Sequence, residues 1–206
     1  MEIIVISPEE EIPNEVDWVI KLFEAGLCKY HLRKPGIDDD GIAKFVAGIP
    51  EQWRDRIVPH QAYKLVKSLG LGGWHFKDDE QQLSLADQWR DSRSGHQTLS
   101  RSIHRLDDLS ENLSGWDYVF VSPVFQSISK RDYEPSWEEA QLSASLACCR
   151  EVYGTSLYAL GGVDDSRIAH CGQLGFDGVA MLGAIWESRY PVEFLRRAQE
   201  AVGLVK

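Results

Sequence analysis

Eight short β-rich runs alternate with helix-period segments along the chain, and this alternation constrains the fold more than any other feature of the sequence. The runs are Ile3 to Ile6, Cys28 to Arg33, Ile57-Val58, Gly73 to Phe76, Thr98 to Ile103, Tyr118 to Val121, Ser156 to Leu160 and Gly178 to Leu182. Between them, apolar residues recur at three- and four-residue spacing, the mark of one buried helix face. Val16, Val19, Ile20 and Phe23 form the first such face, and Ile42, Phe45, Val46 and Ile49 the second. Ala62, Leu65, Val66 and Leu69 form the third, and weaker segments follow over residues 81–93 and 106–113. Leu142, Leu146 and Cys149, then Ile168, Cys171 and Leu174, then Phe194 to Val202 complete the series. Gly26, Gly70 and Gly175 stand where three of these helices should stop. Repeated β-then-α units demand parallel strands, and eight of them predict closure into a (β/α)8 TIM barrel. The fold class is therefore α/β, with residues 1–206 as one domain.

A chain of 206 residues is at the small end for this architecture, which needs about 200 or more. The formal net charge is −10, so the basic footprint of a nucleic-acid binder is missing and no nucleic-acid partner is expected. An acidic protein still binds phosphate where backbone N–H groups and a few cations are placed for it. No stretch approaches about 18 apolar residues, so no membrane partner is expected. The N-terminus has no basic region and too short an apolar run for a signal peptide. Cys28, Cys148, Cys149 and Cys171 form no CxxC pair and read as reduced thiols of a cytoplasmic protein.

Barrel ligands bind where strands end and βα loops begin. Four of the six histidines fall at such ends: His31, His60, His75 and His104. Arg33 and Lys34 follow the second run, and Ser102 ends the fifth. Trp74 and His75 are neighbours on one strand, so only one of them can point into the barrel. No HxH or HExxH spacing supports a metal site, and none is expected. Gly161-Gly162 and Leu182-Gly183 stand after runs seven and eight, where barrels bind phosphate through backbone amides. Glycine matters there because a side chain would block close approach. The Gly/Pro/Ser-rich stretch Ser122 to Ser136 is a loop long enough to be functional. Within it, Ser127, Ser129 and Lys130 offer two hydroxyls and a cation for a phosphate or carboxylate.

These residues, taken in order, resemble the thiamine phosphate synthase and TenI superfamily of thiamine-biosynthesis barrels. His31-Leu32-Arg33 resembles the family's Gln-Leu-Arg, and Gly72-Gly73-Trp74-His75-Phe76 its Gly-Val-His-Leu strand. Ser100-Arg101-Ser102-Ile103-His104 resembles the Gly-Arg-Ser-Val-His of TenI proteins. Trp116-Asp117-Tyr118, Ser122-Pro123-Val124-Phe125 and Ser127-Ile128-Ser129-Lys130 resemble Ala-Asp-Tyr, Gly-Pro-Val-Phe and Thr-x-Thr-Lys. Ala159-Leu160-Gly161-Gly162-Val163 resembles Ala-Ile-Gly-Gly-Ile, and Gly178-Val179-Ala180 the last Gly-Val-Ala strand.

The resemblance implies a small-molecule ligand, thiazole phosphate, with its phosphate on Gly161-Gly162 and Leu182-Gly183 and with Ser127, Ser129 and Lys130 nearby. It also implies a homodimer. Two reactions divide the superfamily. A synthase couples hydroxymethylpyrimidine diphosphate to thiazole phosphate, with Mg2+ and cations neutralising the leaving diphosphate. A TenI protein moves a proton within a thiazole carboxylate phosphate, using a positioned acid/base. The family's Asn-Asp pair after strand three aligns with His60-Gln61, and its lysine after strand two with Pro35, beside Lys34. Its acidic metal ligand aligns near Asp79 or Glu80. His104 matches the catalytic histidine of TenI proteins. The leading expectation is therefore a TenI-like tautomerase with His104 as acid/base and no certain cofactor. A synthase using Arg33, Lys34 and Lys130, with Mg2+, is the alternative. A non-catalytic thiazole or thiamine phosphate-binding regulator is the third reading.

Overall fold

The computed structural model describes residues 1–109, 113–126 and 137–205. Eight strands appear: β1 (Glu2–Ile6), β2 (Lys29–Leu32), β3 (Ile57–Pro59), β4 (Gly73–Phe76), β5 (Thr98–Ile103), β6 (Tyr118–Val121), β7 (Ser156–Ala159) and β8 (Gly178–Met181). Among the described residues every strand pairing is parallel, in the order β3-β2-β1-β8-β7-β6-β5-β4. The helices are α1 (Glu15–Glu24), α2 (Asp39–Ala47), α3 (Glu51–Arg54), α4 (Leu65–Ser68), α5 (Glu80–Arg90), α6 (Leu106–Leu109), α7 (Glu139–Tyr153), α8 (Ile168–Leu174), α9 (Gly183–Trp186) and α10 (Pro191–Gly203). Among the described residues no helix is long and apolar enough to cross a membrane.

The expected barrel is present; three of the β-rich runs coincide with β4, β5 and β6, and the helix face Ile168, Cys171 and Leu174 with α8. The third helix is shorter than its apolar spacing predicts. Ala62 takes a left-handed φ of 56°, so the chain turns before α4 can start. α3 and α9 carry no periodic signal because four residues make barely one turn.

The sheet closes between β3 and β4 through a glycine. Gly72 N–H donates to Ile57 O at 2.8 Å, and Gly72 O accepts from Thr98 N–H at 3.0 Å. A Cβ on Gly72 would stand 2.2 Å from Asp55 O. Side chains are thus excluded at this seam.

Alternation along the strands divides the apolar residues into two cores. Ile3, Val5, Tyr30, Leu32, Trp74, Phe76 and Val179 face the helices. Ile4, Ile6, Tyr118, Phe120, Tyr158 and Ala180 fill the barrel interior. Trp74 takes the outer side, stacking on Trp89, which turns His75 inward.

Candidate active site

The C-terminal ends of the strands open on a cavity of about 690 Å³. Arg33, Ser102, His104, Gly161, Gly162, Leu182, Gly183, His60 and His75 all line it, as the strand-end reading expects. His31 is the exception: it is fully buried beneath the floor, because its place inside β2 puts it one layer deeper. Ser127, Ser129 and Lys130 lie outside the described residues.

On the β2 side, Arg33 is tied to the top of β1. Its N–H donates to Ser7 Oγ at 2.7 Å, and Ser7 Oγ donates to Arg33 O at 2.9 Å. The guanidinium pairs with Glu9 at the mouth. Lys34 turns the other way. Its ammonium is buried, donating to Glu15 Oε2 at 2.6 Å and to Glu10 O at 2.8 Å. That corrects the expectation that Lys34 could serve a leaving diphosphate, since its charge is already matched inside the protein.

Past β4, Lys77, Asp78 and Asp79 also line the cavity. Asp79 Oδ1 accepts from Gln82 N–H at 2.9 Å and caps α5. Asp78 faces the Arg101 guanidinium at 3.5 Å. Lys77, Asp78 and Glu9 were missed as cavity residues from the sequence, although two of them directly follow a strand. Glu80, the other carboxylate aligned with the family's metal ligand, does not line the cavity.

The floor is made of histidines. His31 Nδ1 and His60 Nε2 are 2.9 Å apart, and His31 Nε2 is 2.7 Å from Tyr118 Oη. His75 Nδ1 is 2.9 Å from Ser100 Oγ, and its Nε2 is 3.1 Å from Ser102 Oγ. Burial, reinforced by the neighbouring imidazoles and cations, pushes His31 and His60 well below the usual histidine range and His75 to about 3. All three are neutral at pH 7.

At the end of β5, His104 Nδ1 lies 3.0 Å from the carbonyl oxygen of Ser122. A carbonyl only accepts, so Nδ1 is the donor, and in the neutral ring the lone pair is on Nε2. Across the mouth, Gly161 and Gly162 take left-handed φ values of 93° and 64°. A Cβ on Gly162 would stand 2.3 Å from Gln126 O, and one on Gly161 2.9 Å from Pro123. The chain after β8 enters the short α9 at Gly183. Glycine loops after strands seven and eight, with a short extra helix, form a common phosphate cradle in such barrels.

A family model described as thiamine monophosphate synthase matches residues 3–185. The chain belongs to this family. Its similarity to named members is spread along the barrel. A thiamine-phosphate synthase of a Synechococcus species is 35% identical over 171 residues, which is 80% of this chain and 45% of that protein. This chain thus spans less than half of that relative. A thiamine-phosphate synthase of Lysinibacillus sphaericus is 23% identical over 181 residues, covering 82% of this chain and 79% of that protein. Among solved structures, a thiamine phosphate pyrophosphorylase of Bacteroides thetaiotaomicron superposes with a TM-score of 0.81 at 22% identity, over 100% of both chains. One of Pyrococcus furiosus gives 0.78 at 15% identity, over 99% of this chain and 96% of that one. At such identities the superpositions establish the barrel fold alone. Relatives named as synthases favour the transferase alternative over the tautomerase expectation within this family.

Proposed function

We propose that this chain joins hydroxymethylpyrimidine diphosphate to thiazole phosphate. In that reaction the thiazole nitrogen forms a bond to the pyrimidine methylene carbon. The bond from that carbon to diphosphate oxygen breaks, and diphosphate leaves with the electron pair. The observation that carries this reading is the polarity of the cavity. Arg33, Lys77, Asp78 and Asp79 lie at the ends of β2 and β4, and the glycine loops at the ends of β7 and β8. β4 and β8 are opposite one another in an eight-strand ring. One site for a leaving diphosphate and one for a thiazole phosphate therefore face each other.

Arg33 would neutralise charge as it develops on the leaving oxygen. The carboxylates of Asp78 and Asp79 suit Mg2+, which takes oxygen ligands and is usually held by one or two carboxylates plus substrate phosphates. When bound there, Mg2+ would neutralise diphosphate charge. Amides of Gly161, Gly162 and Gly183 would hold the thiazole phosphate, and Leu160 and Leu182 would cover the ring. Ser127, Ser129 and Lys130 belong to this proposal through the family motif alone. A homodimer and a cytoplasmic location belong to it in the same way.

The test is to mix the protein with both substrates and Mg2+ and to read thiamine phosphate as its fluorescent oxidation product. Product above the enzyme-free control, lost in Arg33→Ala, is the expected result. No product while thiazole phosphate still binds overturns the synthase reading.

A second reading is favoured by one observation: His104 lines the cavity with Nδ1 held by the Ser122 carbonyl, the tautomer in which Nε2 accepts a proton. That is the form a proton-transferring tautomerase needs. Isomerisation of a thiazole carboxylate phosphate, lost in His104→Ala, would support it.

A further inference from the structure

The histidine cluster at the cavity floor, with His60 and His75 lining it and His31 beneath, is given no part in the proton-transfer or group-transfer steps above. Three imidazoles arrive from three consecutive strands, β2, β3 and β4, with ligand nitrogens all within 4.8 Å of one another. Two of the rings are oriented from outside the cluster. Ser100 Oγ lies 3.2 Å from Trp74 O and 2.9 Å from His75 Nδ1, and with its proton on the carbonyl it accepts from His75 Nδ1–H. The lone pair of His75 is therefore on Nε2, on the Ser102 side. Tyr118 Oη holds His31 Nε2 at 2.7 Å, which turns His31 Nδ1 toward His60 Nε2. Only one proton fits between those two nitrogens at 2.9 Å, so a second lone pair points into the same space. Acceptors on the far ring nitrogens, most often carboxylates, backbone carbonyls or water, orient histidine ligands around metal ions, and here hydroxyls of Ser100 and Tyr118 stand in those places.

We propose that His31, His60 and His75 form a three-imidazole site for a divalent transition ion of the Zn2+ or Co2+ class, with an open position toward the cavity. The donor set selects the ion: imidazole suits Zn2+, Co2+, Ni2+ and Cu2+, whereas Mg2+ takes oxygen. The dimensions agree. Zn–N bonds of about 2.0–2.1 Å at tetrahedral angles put ligand nitrogens roughly 3.3 Å apart. His31 Nδ1 and His60 Nε2 stand 2.9 Å apart, and all three ligand nitrogens lie within 4.8 Å of one another, so small movements reach that spacing. His60 is the ring that adjusts, by leaving its 4.0 Å stack on His75, and it lines the cavity where there is room to turn. Three histidines with one position open is the pattern of catalytic rather than structural zinc. The site is separate from the carboxylates assigned to Mg2+ and does not depend on the synthase reading.

The experiment titrates the chelator-treated full chain with Co2+ alone and follows its visible d–d absorption. One equivalent should produce the intense bands of a four- or five-coordinate ion, and Zn2+ should bleach them. His31→Gln and His60→Asn keep polarity, and each should weaken Co2+ binding at least about tenfold, with no band in the double variant. Ser100→Ala retains every ligand and should cost about 10–100-fold in affinity, as loss of an orienting partner does. Asp78→Asn should leave the bands unchanged. X-ray absorption of the Co2+-loaded unmodified chain needs no variant and should show three imidazoles. A pale octahedral spectrum, Co2+ affinity unchanged in His60→Asn, or fewer than three imidazoles would overturn the site and leave the cluster as hydrogen-bonded packing.

Discussion

The ammonium of Lys34 lies 2.6 Å from Glu15 Oε2, with side-chain exposures of only 2% and 6%. Tyr30 Oη donates to the other carboxylate oxygen at 2.8 Å, so Glu15 holds two buried partners. Removing one member of a buried ion pair leaves an uncompensated charge and costs about 3–5 kcal/mol. Glu15→Ala should therefore lower stability by about that amount, read from urea midpoints. An unchanged midpoint would mean that water reaches Lys34.

Gly162 combines a φ of +64° with a Cβ position 2.3 Å from Gln126 O. Alanine there would strain the backbone by about 1–2 kcal/mol and push the β7 loop away from its neighbour. Gly162→Ala should weaken thiazole phosphate binding roughly tenfold, the equivalent of about 1.4 kcal/mol. Calorimetry against the unmodified chain measures it. Equal affinity would place the phosphate elsewhere.

The depressed histidines make the metal-free protein acid-sensitive. His31, His60 and His75 stay neutral in the folded state, while unfolded histidine takes a proton near pH 6.5. Above about pH 6.5 neither state binds these protons and stability is full. Below it the unfolded chain binds more protons, so stability falls as pH drops, for His75 until its folded value of about 3. Each group contributes up to about 1.4 kcal/mol per pH unit in that window. Urea midpoints with chelator present should fall steeply from pH 7 to pH 5. His75→Gln should flatten the slope. A slope that stays the same would show that these rings do not govern it.

Arg33 and His104 separate the two candidate reactions. Under the synthase reading, Arg33→Ala should reduce kcat about 10²-fold or more, as loss of one preorganised charge-stabilising donor does. His104→Ala should then leave substantial coupling activity. The reverse pattern, tested with a thiazole carboxylate phosphate, would assign the proton-transfer reaction.

Much of the architecture is legible in the chain because period-two and period-3.6 patterns report which face is buried. β4, β5, β6 and the glycine-closed α8 follow from those patterns alone. The strand-end rule also delivers the cavity, since parallel strands put their C-terminal loops at one mouth; His60, His75, Ser102, His104 and the glycine loops all reach it. Short elements such as α3 and α9 escape because a single turn has no period to detect. The left-handed Ala62 escapes because no residue type announces it.

Local sequence established that Arg33 and Lys34 follow a strand. Only the tertiary structure decided that Arg33 faces the cavity while Lys34 is buried against Glu15, 19 residues earlier. It likewise decided that His31 and His60, 29 residues apart, share a 2.9 Å contact above Tyr118. Periodicity names the face on which a side chain stands. Which side chains meet across a closed sheet depends on strand register and barrel curvature, and those are set by packing of the whole ring.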